Sequence, residues 1–176
     1  GNVIQVDIVE ADGKHVLEQN FPVALMISYD NRGFISEIEN VDSSGYPVLN
    51  NGVYKSSYKH DKNGRVIEVS YFGTDNQPIY NIEERVACEK WTYDKNGRRI
   101  EHLYFDVNGN LCRSKSANNY GQRISYDSNG YMAELCSLGS TGEPAINQEG
   151  YACVRYTNDT SGRILSRAYF DADGKM

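Results

Sequence analysis

The side chains in this chain best equipped for chemistry are carboxylates and thiols. Glu37, Glu68, Glu101 and Glu134 recur at a near-constant interval. Two carboxylates facing each other across a sugar ring are the machinery of glycoside hydrolysis. A column that returns in nearly every repeat, however, supplies many copies of a group where catalysis needs one asymmetric constellation. The Glu column therefore reads as structural, each carboxylate accepting hydrogen bonds from a neighbouring turn or Tyr hydroxyl. No catalytic residue is expected, and a glycosidase-type enzyme is the third reading. The intervals between Cys88, Cys112, Cys136 and Cys153 are long and match no zinc ribbon or finger, which needs close pairs. Cys136 and Cys153 fall in adjacent repeats and would meet as a disulfide if their strands adjoin. The preferred reading is four small buried hydrophobes with free thiols.

Asp106, Asn108 and Asn110, and again Asp171, Asp173 and Gly174, resemble the opening of a calcium loop but lack the distal Glu that completes one. Turn side chains bonding their own backbone account for both. His15, His60 and His102 occupy different columns and show no metal or triad spacing. No nucleophile elbow, His-Glu-x-x-His or phosphate loop is present, so neither metal nor cofactor is expected.

The elements that must position these groups are read from the glycines. Gly33, Gly64, Gly97, Gly130 and Gly162 recur at the same near-constant interval, each with Asp three places earlier. Such a period marks an array of supersecondary units that cannot bury a core singly. Four before the glycine stand Tyr29, His60, Tyr93, Tyr126 and Asn158; six before it stand Ile27, Tyr58, Trp91, Ile124 and Tyr156. These are strand residues running into a turn. A second turn follows at Gly45, Asn76, Gly109, Gly142 and Gly174, with Pro47, Pro78 and Pro144 two further along and Leu111 the exception. Asp-x-Asn-Gly suits a type I turn closed by a glycine bulge. The residue four before the glycine then pairs with the one two after it. On that register Trp91, Tyr93, Leu103 and Phe105 share a face with Glu101, while Asp94 opposes Arg98, as Asp61 does Arg65 and Asp159 does Arg163. Each such pair is worth about a few tenths of a kcal/mol.

The expected fold is all-β: tandem antiparallel β-hairpin repeats, period about 32, forming a curved single-layer sheet or solenoid in one repeat domain, 1–176. A half unit covers 1–20, with Ile4 and Val9 in apolar columns and a turn at Asp12-Gly13; full units cover 21–50, 51–83, 84–116, 117–148 and 149–176. Phe21-Pro22 leads into the first full unit, and Tyr80–Glu89 is the one stretch with a weak helical pattern. A mean hydropathy of −0.62 and 39% hydrophobic content fit a thin core, and 14 Tyr fit half-exposed sheet faces. A net charge of −6 argues against nucleic acid, and no apolar run is long enough for membrane insertion. Because the chain opens inside a repeat, without Met, it is expected to be a segment of a longer protein or a processed form.

At Tyr93-Asp94-Lys95-Asn96-Gly97-Arg98, Tyr126-Asp127-Ser128-Asn129-Gly130 and Tyr29-Asp30-Asn31-Arg32-Gly33 the chain resembles the YD repeats of bacterial RHS-like surface and toxin proteins. Its tandem hairpins also resemble MORN repeats, although the period is longer than a YD unit and the MORN Gly-x-Gly is missing. The resemblance implies a bacterial, extracellular or cell-surface setting and carries no active site. The leading function is a non-enzymatic module binding carbohydrate or protein through an aromatic ladder of Tyr58, Trp91, Tyr93, Tyr126 and Tyr156. The alternatives are repeat-to-repeat packing for those rings, and a purely structural shell of a larger toxin-like or surface protein. Exposed edge strands would allow end-to-end self-association.

Overall fold

The computed structural model describes residues 3–7 and 24–176. Every regular element among them is a β-strand. Contacts gather the chain into two compact units, Gly1–Glu89 and Lys90–Met176. The first holds β1 (Val3–Asp7), β2 (Ala24–Tyr29), β3 (Ile35–Val41), β4 (Lys55–His60) and β5 (Val66–Phe72), hydrogen-bonded in chain order. All but the first two residues of β6 (Cys88–Tyr93) belong to the second unit. There it is followed in the same sequential order by β7 (Arg99–Phe105), β8 (Gly121–Tyr126), β9 (Met132–Leu138), β10 (Cys153–Asn158) and β11 (Ile164–Phe170). The all-β hairpin architecture expected from the repeat is thus observed. In the half unit 1–20 only β1 is described; Val9, the Asp12-Gly13 turn, His15 and Phe21-Pro22 lie outside the described residues.

The first turn of each repeat forms for the chemical reason its residues announce. At Asp159 the amide of Gly162 donates to the Asp159 carbonyl at 3.0 Å, and the Asp159 amide donates to the Arg163 carbonyl at 2.9 Å. Gly162 sits at φ +81°, a conformation open to glycine at little cost. The Asp159 carboxylate accepts the amides of Ser161 and Arg163 at 2.8 and 3.0 Å, replacing bonds that the turn denies them. The register follows: Tyr29 opposes Ile35, His60 opposes Val66, Tyr126 opposes Met132 and Asn158 opposes Ile164.

One step further the ladder shifts. Ser28 opposes Glu37, Lys59 opposes Glu68, Ser125 opposes Glu134 and Thr157 opposes Ser166, so Ser36, Ile67, Ala133 and Leu165 are left unpaired as bulges. An extra residue in one strand reverses the parity of everything beyond it. The expected face assignment is therefore corrected: Trp91 stacks on His102, not beside Glu101, and Glu101 and Leu103 point to the opposite side because alternate strand residues face opposite ways.

Two more turns complete the repeat. The second closes with bridges from Val41 to Pro47, Phe72 to Pro78, Phe105 to Leu111 and Leu138 to Pro144. Asn76 takes the left-handed conformation there at φ 59°, which asparagine tolerates. The third runs from Asn50 to Val53, Asn81 to Val86, Ser114 to Asn119 and Asn147 to Tyr151, each closed by an amide-to-carbonyl bond of 2.8 to 3.0 Å between its first and last residues. The weak helical stretch Tyr80–Glu89 is this turn plus the start of β6. No helix occurs among the described residues, and none is long and apolar enough to cross a membrane.

Burial is thin and local. Ala24, Val41 and Tyr54 form one cluster, with Met26 packed on it. Cys136, Ala152 and Cys153 form another, with Phe170. Side chains one after the turn glycine cover the next hairpin: Phe34 stacks on His60 at 5.3 Å, the Arg98 guanidinium lies 4.4 Å over Tyr126, and Tyr131 lies against Gly162.

Candidate functional site

The ladder residues lie on four strands, and Tyr126 also lines the groove that holds Arg98, Glu101 and Glu134. Tyr58 lies in the first unit on β4 opposite Val69; Trp91 and Tyr93 on β6, Tyr126 on β8 and Tyr156 on β10 lie in the second. All five are half-buried. Trp91 stacks on His102 with centroids 4.8 Å apart and planes at 21°, and His102 in turn contacts the buried Tyr104 at 4.5 Å. The Tyr126 hydroxyl donates to the Arg99 carbonyl at 2.8 Å. Trp91 continues along a row across the strands, because His102 opposes Gln122 and Gln122 opposes Ser137. At about 4.8 Å per strand, that row sets a flat ring beside a line of hydrogen-bonding side chains.

On the reverse side the Glu column meets cations rather than turn amides or Tyr hydroxyls, which corrects the expected partners. Lys55 approaches Glu37 at 3.6 Å, Lys59 meets Glu68 at 2.7 Å, Arg123 meets Glu101 at 3.2 Å and Arg155 meets Glu134 at 2.5 Å. In three of these the cation comes from the next repeat, so the column ties repeats together. Two of these cations also cap aromatic rings, Lys55 over Phe72 and Arg155 over Phe170, as Lys90 does over Phe105, at 4.1 to 5.4 Å. A groove of about 410 Å³ on this side of the second unit brings Glu101 and Glu134 together with Asp94, Arg98, Arg123 and Cys136. Each of its three carboxylates has an arginine partner.

Cys136 and Cys153 face each other directly across β9 and β10, Cα atoms 4.1 Å apart, and are joined as a disulfide. The expectation of four free thiols is thus corrected for this pair, which register brings into contact. Cys88 and Cys112 remain thiols and are half-buried. Burial, with the Asp106 charge nearby, pushes the Cys112 thiol up to about 11. Glu134 lies close to both disulfide sulfurs, but sulfurs bonded to each other offer no thiolate to a metal.

The turn carboxylates are committed to backbone. Asp106 accepts the amides of Asn108 and Asn110 at 2.9 and 2.8 Å, and Asp171 those of Asp173 and Lys175. Asp61 and Asp94 resist partial burial, which acts to raise them, because amides and the Arg65 and Arg98 guanidinia hold both carboxyls below their ordinary range. The Asp–Arg pairs expected across the turn are present, at 2.6 to 2.7 Å in Asp61–Arg65, Asp94–Arg98 and Asp159–Arg163.

From sequence alone, 114–119 and 147–150 read as polar loops between units, with neither a recurring turn geometry nor the cleft beside it assigned to them. The signal of the turn is present in the chain, since Asn50, Asn81, Ser114 and Asn147 recur at the period of the repeat. No protein-family model matches this chain, and no curated protein matches it.

Proposed function

We propose that this chain is a non-enzymatic recognition module of a bacterial surface or secreted protein, and that it binds carbohydrate through the aromatic side of its second unit. The observation that carries the proposal is Trp91: a half-buried indole held flat on His102, with Tyr93 two residues along the same strand. A sugar ring stacks on a flat aromatic held rigid from behind, at small conformational cost. Support for an extracellular setting comes from the Cys136–Cys153 disulfide, because such bonds persist in oxidising compartments. Pairing of Glu101 and Glu134 with arginines fits a structural use of those carboxylates.

The test is a glycan-array and cell-wall polysaccharide screen of the chain beside Trp91→Ala. Binding that disappears in Trp91→Ala while the fold persists supports the proposal. No binding by either protein, with Trp91→Ala lowering only the unfolding midpoint, refutes it and favours a structural shell, in which the rings serve repeat packing alone.

A further inference from the structure

In the second unit, the third turns 114–119 and 147–151 flank a cleft of about 320 Å³. That volume falls at the lower end of the range for small-molecule sites. Its walls carry the amides and hydroxyls of Asn119, Gln122, Ser137, Asn147, Gln148 and Tyr151, beside the apolar Ala117, Leu135 and Val154. Neutral groups that both donate and accept hydrogen bonds dominate the lining, and its charged member, Glu149, already accepts the Tyr151 hydroxyl.

Two wall residues, Asn119 and Tyr151, depart from the valine of their column, and Asn119 does so while staying buried. The last position of the third turn is Val53, then Val86, Asn119 and Tyr151, each one repeat period beyond the one before. Val53 and Val86 are buried, 6% and 0% exposed, whereas Tyr151 at the same position is half-buried. Asn119 is enclosed like the valines, at 7%, yet its Oδ1 has no hydrogen-bond partner, the one such buried side-chain oxygen or nitrogen among the described residues. A polar atom so placed is costly unless something satisfies it, and native folds seldom keep one without use. Asn119 lines the cleft, and the terminal torsion of an asparagine amide is soft, so the orientation of this oxygen is open to adjustment by a ligand.

We infer that this cleft is a binding site for a neutral polyhydroxylated ligand, a saccharide unit, with Asn119 accepting a ligand hydroxyl or amide proton. The inference rests on the carbohydrate-binding proposal and supplies its pocket. Gln122 and Ser137 belong both to the cleft and to the row that begins at Trp91, so a sugar in the cleft lies on the surface that carries the indole. Amides and hydroxyls with no net charge discriminate for sugars over phosphates or nucleotides, which need a cation here.

Saturation-transfer NMR and calorimetry on the full chain test this, with glucose, galactose, mannose, N-acetylglucosamine and their β-1,4-linked dimers as probes. Asn119→Val restores the residue type of the column and is expected to fold with a raised unfolding midpoint. Gln122→Ala provides a second variant that leaves the turn intact. Saccharide binding by the wild type that weakens at least tenfold in both variants supports the inference. Wild-type affinity retained in Asn119→Val and Gln122→Ala overturns it; if Trp91→Ala alone then loses binding, the aromatic proposal stands without the cleft. Absence of binding to every probe, with Asn119→Val merely more stable, overturns both and makes the orphan oxygen a seat for buried water.

Discussion

The packing of one repeat on the turn of the next can be isolated with two alanines. Gly162 and Gly109 share a left-handed backbone, φ +81° and +82°, so alanine costs each site about 1–2 kcal/mol through its Cβ alone. Their surroundings differ. An added Cβ at Gly109 meets nothing within 4 Å, whereas at Gly162 it lies 2.3 to 2.8 Å from three ring atoms of Tyr131. Those distances are far inside van der Waals contact, and the ring must move away. Overpacking of this kind adds about 1–3 kcal/mol. The expected losses are therefore about 1–2 kcal/mol for Gly109→Ala and about 2–5 kcal/mol for Gly162→Ala. Urea unfolding followed by the fluorescence of Trp91, the single tryptophan, reads both. In a Tyr131→Ala background the excess at Gly162 is expected to vanish, because the two effects share one contact. Equal losses at the two glycines, or an excess that survives removal of Tyr131, would refute the role given to that ring.

Acid stability is expected to follow the turn aspartates. The Arg163 amide and then its guanidinium lower the Asp159 carboxyl, and the amides of Tyr131 and Asn110 lead the same effect at Asp127 and Asp106. Folded values lie below the unfolded value of about 3.9, so this contribution is complete above that pH and is lost as pH falls through the folded values. Melting midpoints that are already falling well above about pH 5 would contradict it. Reducing Cys136–Cys153, whose partners are 17 residues apart, is expected to lower stability by about 3 kcal/mol in urea titrations with and without reductant. Cys112, pushed up to about 11, is expected to alkylate on the order of a hundredfold more slowly at pH 8 than after unfolding; mass-resolved iodoacetamide labelling at matched times decides this.

Much of the hairpin was legible because the Asp-x-x-Gly turn writes its conformation into its residues: an acceptor that must cap two amides, and a glycine that must turn left. From that turn the pairing of Tyr126 with Met132 and of His60 with Val66 follows directly. The faces were not legible. Ser36, Ile67, Ala133 and Leu165, the bulged residues, share no chemical character, since a bulge in an exposed ladder asks nothing particular of its side chain. That one silent residue moved the Glu column off the side of Trp91 and Tyr93, to where Arg123 and Arg155 are the partners of Glu101 and Glu134. The disulfide was half legible: adjacency in the repeat named Cys136 and Cys153 as able to meet, but only the register sets them face to face. A column carries information in two ways. Where it holds, as at Asp30, Asp61, Asp94, Asp127 and Asp159, it reports what every unit needs in order to fold. Where it breaks, it marks a position whose residue the fold did not require. Asn119 is such a break, placing an unsatisfied acceptor where its predecessors Val53 and Val86 fill the same turn with methyl groups. A difference between copies of one structural position separates what holds the array together from what one copy does alone.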